Sequence, residues 1–198
     1  MMMRIFGYIV LGCLVFVFCF GSALSDVGDE VIAFSGSSTK IKVRCRNASD
    51  RMDCGIYMFR GGDEREILNF PGRPNIVSFD SGVFVIVFPC GTQCSATYFY
   101  SERNGLGGPF PFVEAYDVSR GVVLLSKRNP LPMYSIFSKK SRIVGEINLN
   151  LPKGVEAFAS IKRVVVNDHG FIVSYVDRGG SVVKVSRQIP MLEAGSMR

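Results

Sequence analysis

The chain reads as an all-β protein whose antiparallel meanders form a sandwich or a small propeller-like arrangement, stapled by disulfides. Three observations predict this. Apolar residues alternate or come in short runs rich in Val, Ile, Phe and Tyr, the signature of strands. Turn chemistry recurs every ten residues or so, and no convincing amphipathic helix interrupts it. Four cysteines remain after an apolar leader, an even number suited to an oxidising compartment.

The leader comes first. Arg4 is the only charge before Asp26, and IFGYIVLGCLVFVFCF is an unbroken apolar run of 16 residues followed by GSALS. A basic start, an apolar centre and a small-residue exit describe a secretory signal peptide over residues 1–25, with Ala23 and Ser25 preceding cleavage at Asp26. The run is short of the roughly 20 apolar residues of a membrane span, which sets it apart from a retained anchor. VLGC at residues 10–13 is followed by further apolar residues, as in a continuing leader rather than a lipidated N-terminus. The expected mature chain, residues 26–198, is long enough for a single all-β domain with its own core.

Strands are expected at TKIKVRC (39–45), GIYMFR (55–60), GVFVIVF (82–88), SATYFYS (95–101), RGVVLLS (120–126) and RIVGEINLNL (142–151). Hairpins are expected at Asp117–Gly121, Asn167–Gly170 and Asp177–Gly180, where Asp or Asn is paired with Gly. The last two share a strand, so residues 162–187 should form a three-stranded meander. A second group of strands spans 75–126, interrupted by a loop at SERNGLGGPFPF (101–112). Four blades of about 40 residues would fit the length. The proline- and lysine-containing stretch KRNPLPMYSIFSKKSR (127–142) is expected as a protected edge strand or a contact surface.

Cys45, Cys54, Cys90 and Cys94 allow three pairings. Cys45–Cys54 and Cys90–Cys94 are favoured, because each pair flanks a short polar or glycine-containing segment. The alternative links the two regions across sheets.

Little in the chain is suited to catalysis. The single histidine, His169, sits in the NDHG turn as a solvated residue. No G-x-S-x-G elbow, phosphate loop or dinucleotide fingerprint is present. Cys90-x₃-Cys94 has zinc-ligand spacing but Cys45-x₈-Cys54 does not, and neither pair is a C-x-x-C redox motif. Asp50, Asp53, Asp63, Glu64 and Glu66 fall in polar, turn-like stretches with Arg51 and Arg65, as solvated charge. The expectation is therefore a non-enzyme with no catalytic, metal or cofactor residues. Asn47-Ala48-Ser49 is a glycosylation sequon, relevant only in a eukaryotic source. The net charge of +6, reduced to +5 by loss of Arg4, is spread along the chain and does not point to nucleic acid.

In its leader, length, paired cysteines, β meanders and basic mature chain, the protein resembles small bacterial periplasmic immunity proteins and inhibitors. These neutralise cell-wall-degrading effectors delivered by neighbouring cells, for example through type VI secretion. The resemblance is architectural, and no functional residue carries over from it. It implies a periplasmic or secreted protein whose partner is a secreted cell-wall hydrolase, blocked by occlusion. On that reading the 101–112 loop would enter the effector's cleft, with Phe110 and Phe112 as anchors and Arg103 and Asn104 as hydrogen-bonding groups. The alternative is an envelope structural or assembly protein. It would contact peptidoglycan, anionic lipid or an outer-membrane complex through Lys127, Arg128, Lys139, Lys140 and Arg142. A third reading is a hydrolase using the acidic residues above.

Overall fold

The computed structural model describes residues 27–33, 38–48, 51–91, 94–138 and 142–189. The leader at 1–25 lies outside these residues, as do Asp50, Lys139 and Lys140. The described chain folds into four antiparallel sheets. The first holds β1 (Val27–Ile32), β2 (Lys40–Ala48), β3 (Arg51–Arg60) and β4 (Asp63–Pro71). The second holds β5 (Asn75–Asp80), β6 (Val83–Gly91), β7 (Cys94–Ser101) and β8 (Gly105–Pro111). The third holds β9 (Val113–Asp117), β10 (Val122–Leu125), β11 (Leu131–Ser135) and β12 (Ile143–Ile147). A single helical turn, α1 (Ala157–Ser160), precedes the fourth sheet of β13 (Ile161–Asn167), β14 (Gly170–Val176) and β15 (Val182–Arg187). Spatial order equals chain order in every sheet, so each is a plain meander.

The sheets pack face to face in succession, in a propeller-like manner. Ile41, Val43 and Ile56 of the first sheet meet Phe84, Ile86 and Phe88 of the second. Val83, Val85 and Phe99 on the opposite face of the second sheet meet Val123, Leu125 and Ile136 of the third. Val122, Leu124 and Met133 on the third sheet's other face meet Phe171, Val173 and Tyr175 of the fourth. Period-2 alternation thus sends neighbouring residues of one strand into different cores. This explains why GVFVIVF and VVLL are continuously apolar: β6 and β10 are covered on both faces. Strand β2, with one face in solvent, alternates Lys40, Ile41, Lys42, Val43, Arg44. Among the described residues no core cluster joins the first sheet to the fourth.

The three expected hairpins form, and each is held by its Asp or Asn. The Asn167 Oδ1 accepts the N–H groups of His169 at 2.9 Å and Gly170 at 3.0 Å. The Asp177 Oδ1 accepts those of Gly179 and Ser181, both at 2.9 Å. The Asp117 Oδ1 accepts the Arg120 N–H at 3.0 Å and the Ser119 hydroxyl at 2.6 Å.

Five sequence expectations need correction. The 75–126 group divides, because one sheet ends at Pro111 and the next begins at Val113. Segment 101–112 is not a loop: only Glu102–Asn104 turn, and Gly105–Pro111 is strand β8. Residues 131–135 are not an edge strand, since β11 lies between β10 and β12 with Leu131 and Met133 fully buried. Strand β12 ends at Ile147, and Leu149 and Leu151 continue into the core without a ladder. Their backbone is held instead by Asn129, whose side chain bonds Leu149 N–H and C=O at 2.9 and 2.8 Å, and by Arg178 on Leu151 C=O at 3.2 Å. The acids Asp53, Asp63, Glu64 and Glu66 are likewise in strands β3 and β4 rather than in turns.

The outer face of the first sheet is closed by charge. Lys42 reaches Asp29 at 2.8 Å and Glu64 at 3.4 Å, and Arg44 reaches the same two carboxylates at 3.0 and 3.1 Å. The Arg44 guanidinium also lies 4.9 Å from the centroid of Tyr57. Gly55, paired with Arg44 across the ladder, leaves room for that ring: a Cβ there would stand 2.7 Å from it.

Both favoured disulfides are formed. Cys45 and Cys54 are directly opposed on β2 and β3, with Cα atoms 4.1 Å apart, and are buried in the first core. Cys90–Cys94 closes the β6–β7 hairpin at its rim, with Cα atoms 5.0 Å apart. Loop-closure entropy favours the wider loop and adds to its core packing. Replacing Cys45 and Cys54 by Ala is expected to cost about 3 kcal/mol or more, against about 2 kcal/mol for Cys90 and Cys94 to Ser, measured by urea unfolding. The hydrogen bonds from Arg44 and then Lys42 hold the Asp29 carboxyl at about 2, below its ordinary 3.8. A depressed value stabilises the fold above the ordinary range and is lost as pH falls through the folded value. The stability gap between wild type and Asp29→Asn should therefore be present at neutral pH and close between 3.8 and about 2, followed by thermal unfolding against pH.

Candidate partner-binding surface

The four residues expected to form one binding loop are separated by the fold. Arg103 and Asn104 are exposed in the β7–β8 turn. Glu102 beside them is turned toward the first sheet, where it accepts hydrogen bonds from Thr39 and from Arg60, the latter at 2.7 Å. Phe110 is 6% exposed and belongs to the second core, edge-on to Phe99 at 5.9 Å and tilted to Tyr134 at 6.3 Å. It is a packing residue and not a free anchor. Phe112 lies at the far end of β8, some 23 Å along the strand from the turn at about 3.3 Å per residue.

Composition misled the reading of this segment because its glycines serve packing. A Cβ on Gly107 would stand 2.2 Å from the Ile136 carbonyl oxygen, and one on Gly108 2.8 Å from that of Thr97. Close backbone approach, not flexibility, requires them.

Phe112 is the single residue joining the second and third sheets, and its φ is 54°. The other non-glycine residue with positive φ among those described, Ser81, sits in a Ser-Gly hairpin turn that demands it. Phe112 has no such turn. Its carbonyl is fixed by the Ser126 N–H at 3.0 Å and hydroxyl at 3.3 Å. Its half-buried ring stacks on half-buried Phe158 of α1 at 6.1 Å, and the Lys127 ammonium lies 5.4 Å from its centroid. Exposed Pro111 precedes Phe112 in sequence, and exposed Arg128 follows Lys127. Two residues assigned to different expected surfaces, Phe112 and Lys127, are thus neighbours. Phe158 was missed: it occupies one helical turn 46 positions further on, and nothing in its local sequence marks the contact.

A concavity of about 730 Å³ opens between the third and fourth sheets. Arg120 spans its wall, paired with Asp117 at 2.6 Å and donating to the carbonyls of Asn167 and Asp168. Burial raises the Asp117 carboxyl, but bonds from Ser119 and Arg120 outweigh it and leave the group below its ordinary value. His169 is exposed at the rim, and Asp168 and Ser186 share the cleft. No hydrogen bond joins these three side chains among the described residues, so no nucleophile–base pair is assembled there. The described residues hold no cluster of three or more His, Cys, Asp or Glu placed to bind a metal. Among them, too, no helix is long and apolar enough to cross a membrane.

The backbone at Phe112 yields a direct test. A non-glycine residue in this region costs about 1–3 kcal/mol, which glycine relieves and alanine does not. Phe112→Gly is expected to be more stable than Phe112→Ala by about 1 kcal/mol in chemical denaturation, the reverse of their usual order in extended backbone. In comparisons with known proteins, no family model and no curated sequence matches the chain.

Proposed function

We propose that this is an exported, non-catalytic binding protein of the periplasmic immunity or inhibitor kind, which blocks a cell-wall-degrading effector through the surface made by Phe112, Phe158 and Lys127. The observation that carries this reading is Phe112. An aromatic residue stands where glycine would be less strained, with its ring at the surface beneath a lysine. Locally strained backbone clusters at functional sites, and here it carries a surface aromatic. Aromatic anchors beside cations suit a hot spot that enters a cleft lined with carboxylates, the usual equipment of glycan-cleaving enzymes. The two disulfides fit an oxidising compartment such as the periplasm.

A second reading places Lys127 and Arg128 against an anionic envelope surface. Both are exposed in one turn, between β10 and β11. The two readings differ in salt dependence and in the need for the rings.

Affinity capture from the source organism's own lysate, in oxidising buffer, compares the mature chain with a Phe158→Ala, Lys127→Glu double variant. The expected result is a cell-wall hydrolase retained stoichiometrically by wild type, inhibited by it in a turnover assay, and lost with the variant. Recovery of envelope fragments alone, released by salt, would replace the inhibitor reading with the envelope one. Equal capture by the variant would remove this surface from either.

A further inference from the structure

The cleft between the third and fourth sheets is separate from the Phe112 surface and has a composition of its own. The third sheet has four strands and the fourth has three. The cleft opens where β11 and β12 face the end of β15 and the residues that follow it. Its apolar side is supplied by Val144 and Ile189, which pack against or belong to the third core.

The polar side is set by strand alternation. Val183 and Val185 of β15 point toward the third sheet and pack against its core. Arg187 follows at the same period and is paired across the ladder with buried Phe171, so its side chain shares that inner face. An arginine is therefore directed into the mouth of an apolar interface. No hydrogen bond or ion pair engages its side chain among the described residues. The other cation of the cleft, Arg120, is already occupied by Asp117 and two backbone carbonyls. Asp168, the carboxylate at the rim, is not bonded to Arg187. His169 completes the rim on the same turn.

We propose that this cleft binds a carboxylate attached to a small apolar body, with Arg187 receiving the carboxylate and Val144 and Ile189 receiving the apolar part. Guanidinium pairs carboxylate through two parallel N–H donors, which gives direction as well as attraction. A volume of about 730 Å³ lies within the range of ligand sites that combine apolar walls with a few convergent polar groups. A short fatty acid and the C-terminal residue of a peptide share this chemistry.

His169 makes the test clean, because it is the only histidine and its ring signals in NMR report on the cleft rim alone. The purified mature chain is titrated with octanoate, with N-acetyl-Ala-Leu, and with the uncharged controls octanol and N-acetyl-Ala-Leu amide. The expected result is a saturable shift with at least one acid, weakened about tenfold or more for its uncharged control and in Arg187→Gln. Lys184→Gln, on the opposite face of the same strand, should bind like wild type. Response to octanoate alone identifies an acyl chain as the source, and response to the peptide acid alone identifies a chain terminus. The proposal is overturned by no saturable shift with either acid, by equal binding of the uncharged controls, or by Lys184→Gln weakening binding as much as Arg187→Gln.

Discussion

The structure depends on one constraint: the second and third sheets must bury both of their faces. A β-strand offers alternate side chains to opposite sides, so a sheet covered twice needs apolar residues at every position. Strands β6 and β10 meet that demand, and each contributes to two cores. Once they do, a sheet must lie on either side of each, and the four-sheet succession follows. The series stops where a face can meet water. On the first sheet this is the lattice of Asp29, Lys42, Arg44 and Glu64. On the fourth, Ser174 and Lys184 lie on the side away from the core.

How much of this was legible in the sequence follows from the range of the interactions involved. Hairpins were readable because Asp117, Asn167 and Asp177 each bond their own turn within four residues. Disulfide pairing was readable for the same reason, since each bridge closes a short hairpin segment. The failures are long-range. Gly107 and Gly108 suggest a loop until Ile136 and Thr97 are seen against them. Residues 131–135 suggest an edge strand because Pro132 cannot donate to a ladder. Yet the β10 register reaches only Met133, so Pro132 lies just beyond it. The functional reading shows the same limit. The sequence offered Phe112 and Lys127 on separate segments, and only the fold made them neighbours and added Phe158.

The two candidate surfaces differ in how the fold holds them. The Phe112 surface lies at the one-residue junction of the second and third sheets, where the chain has no slack and strain can be sustained by rigid neighbours. The cleft lies at the Asn167–Gly170 turn of the fourth sheet, whereas the longest connection between sheets, residues 148–160, supplies Phe158 to the Phe112 surface and is strapped to its surroundings by Asn129, Tyr175 and Arg178. These polar straps do for irregular backbone what a ladder does for a strand.

The order of the sheets has a further consequence for how the chain could change over generations. Each sheet is made from one continuous stretch, and the described cores join only sheets that are consecutive in the chain. Stability in such an array is close to a sum of unit terms and nearest-neighbour terms, as in solenoid repeats. A unit of about 40 residues could then be gained or lost without redrawing any other interface. The requirement falls on the two end faces alone, which must be polar wherever the array is made to stop.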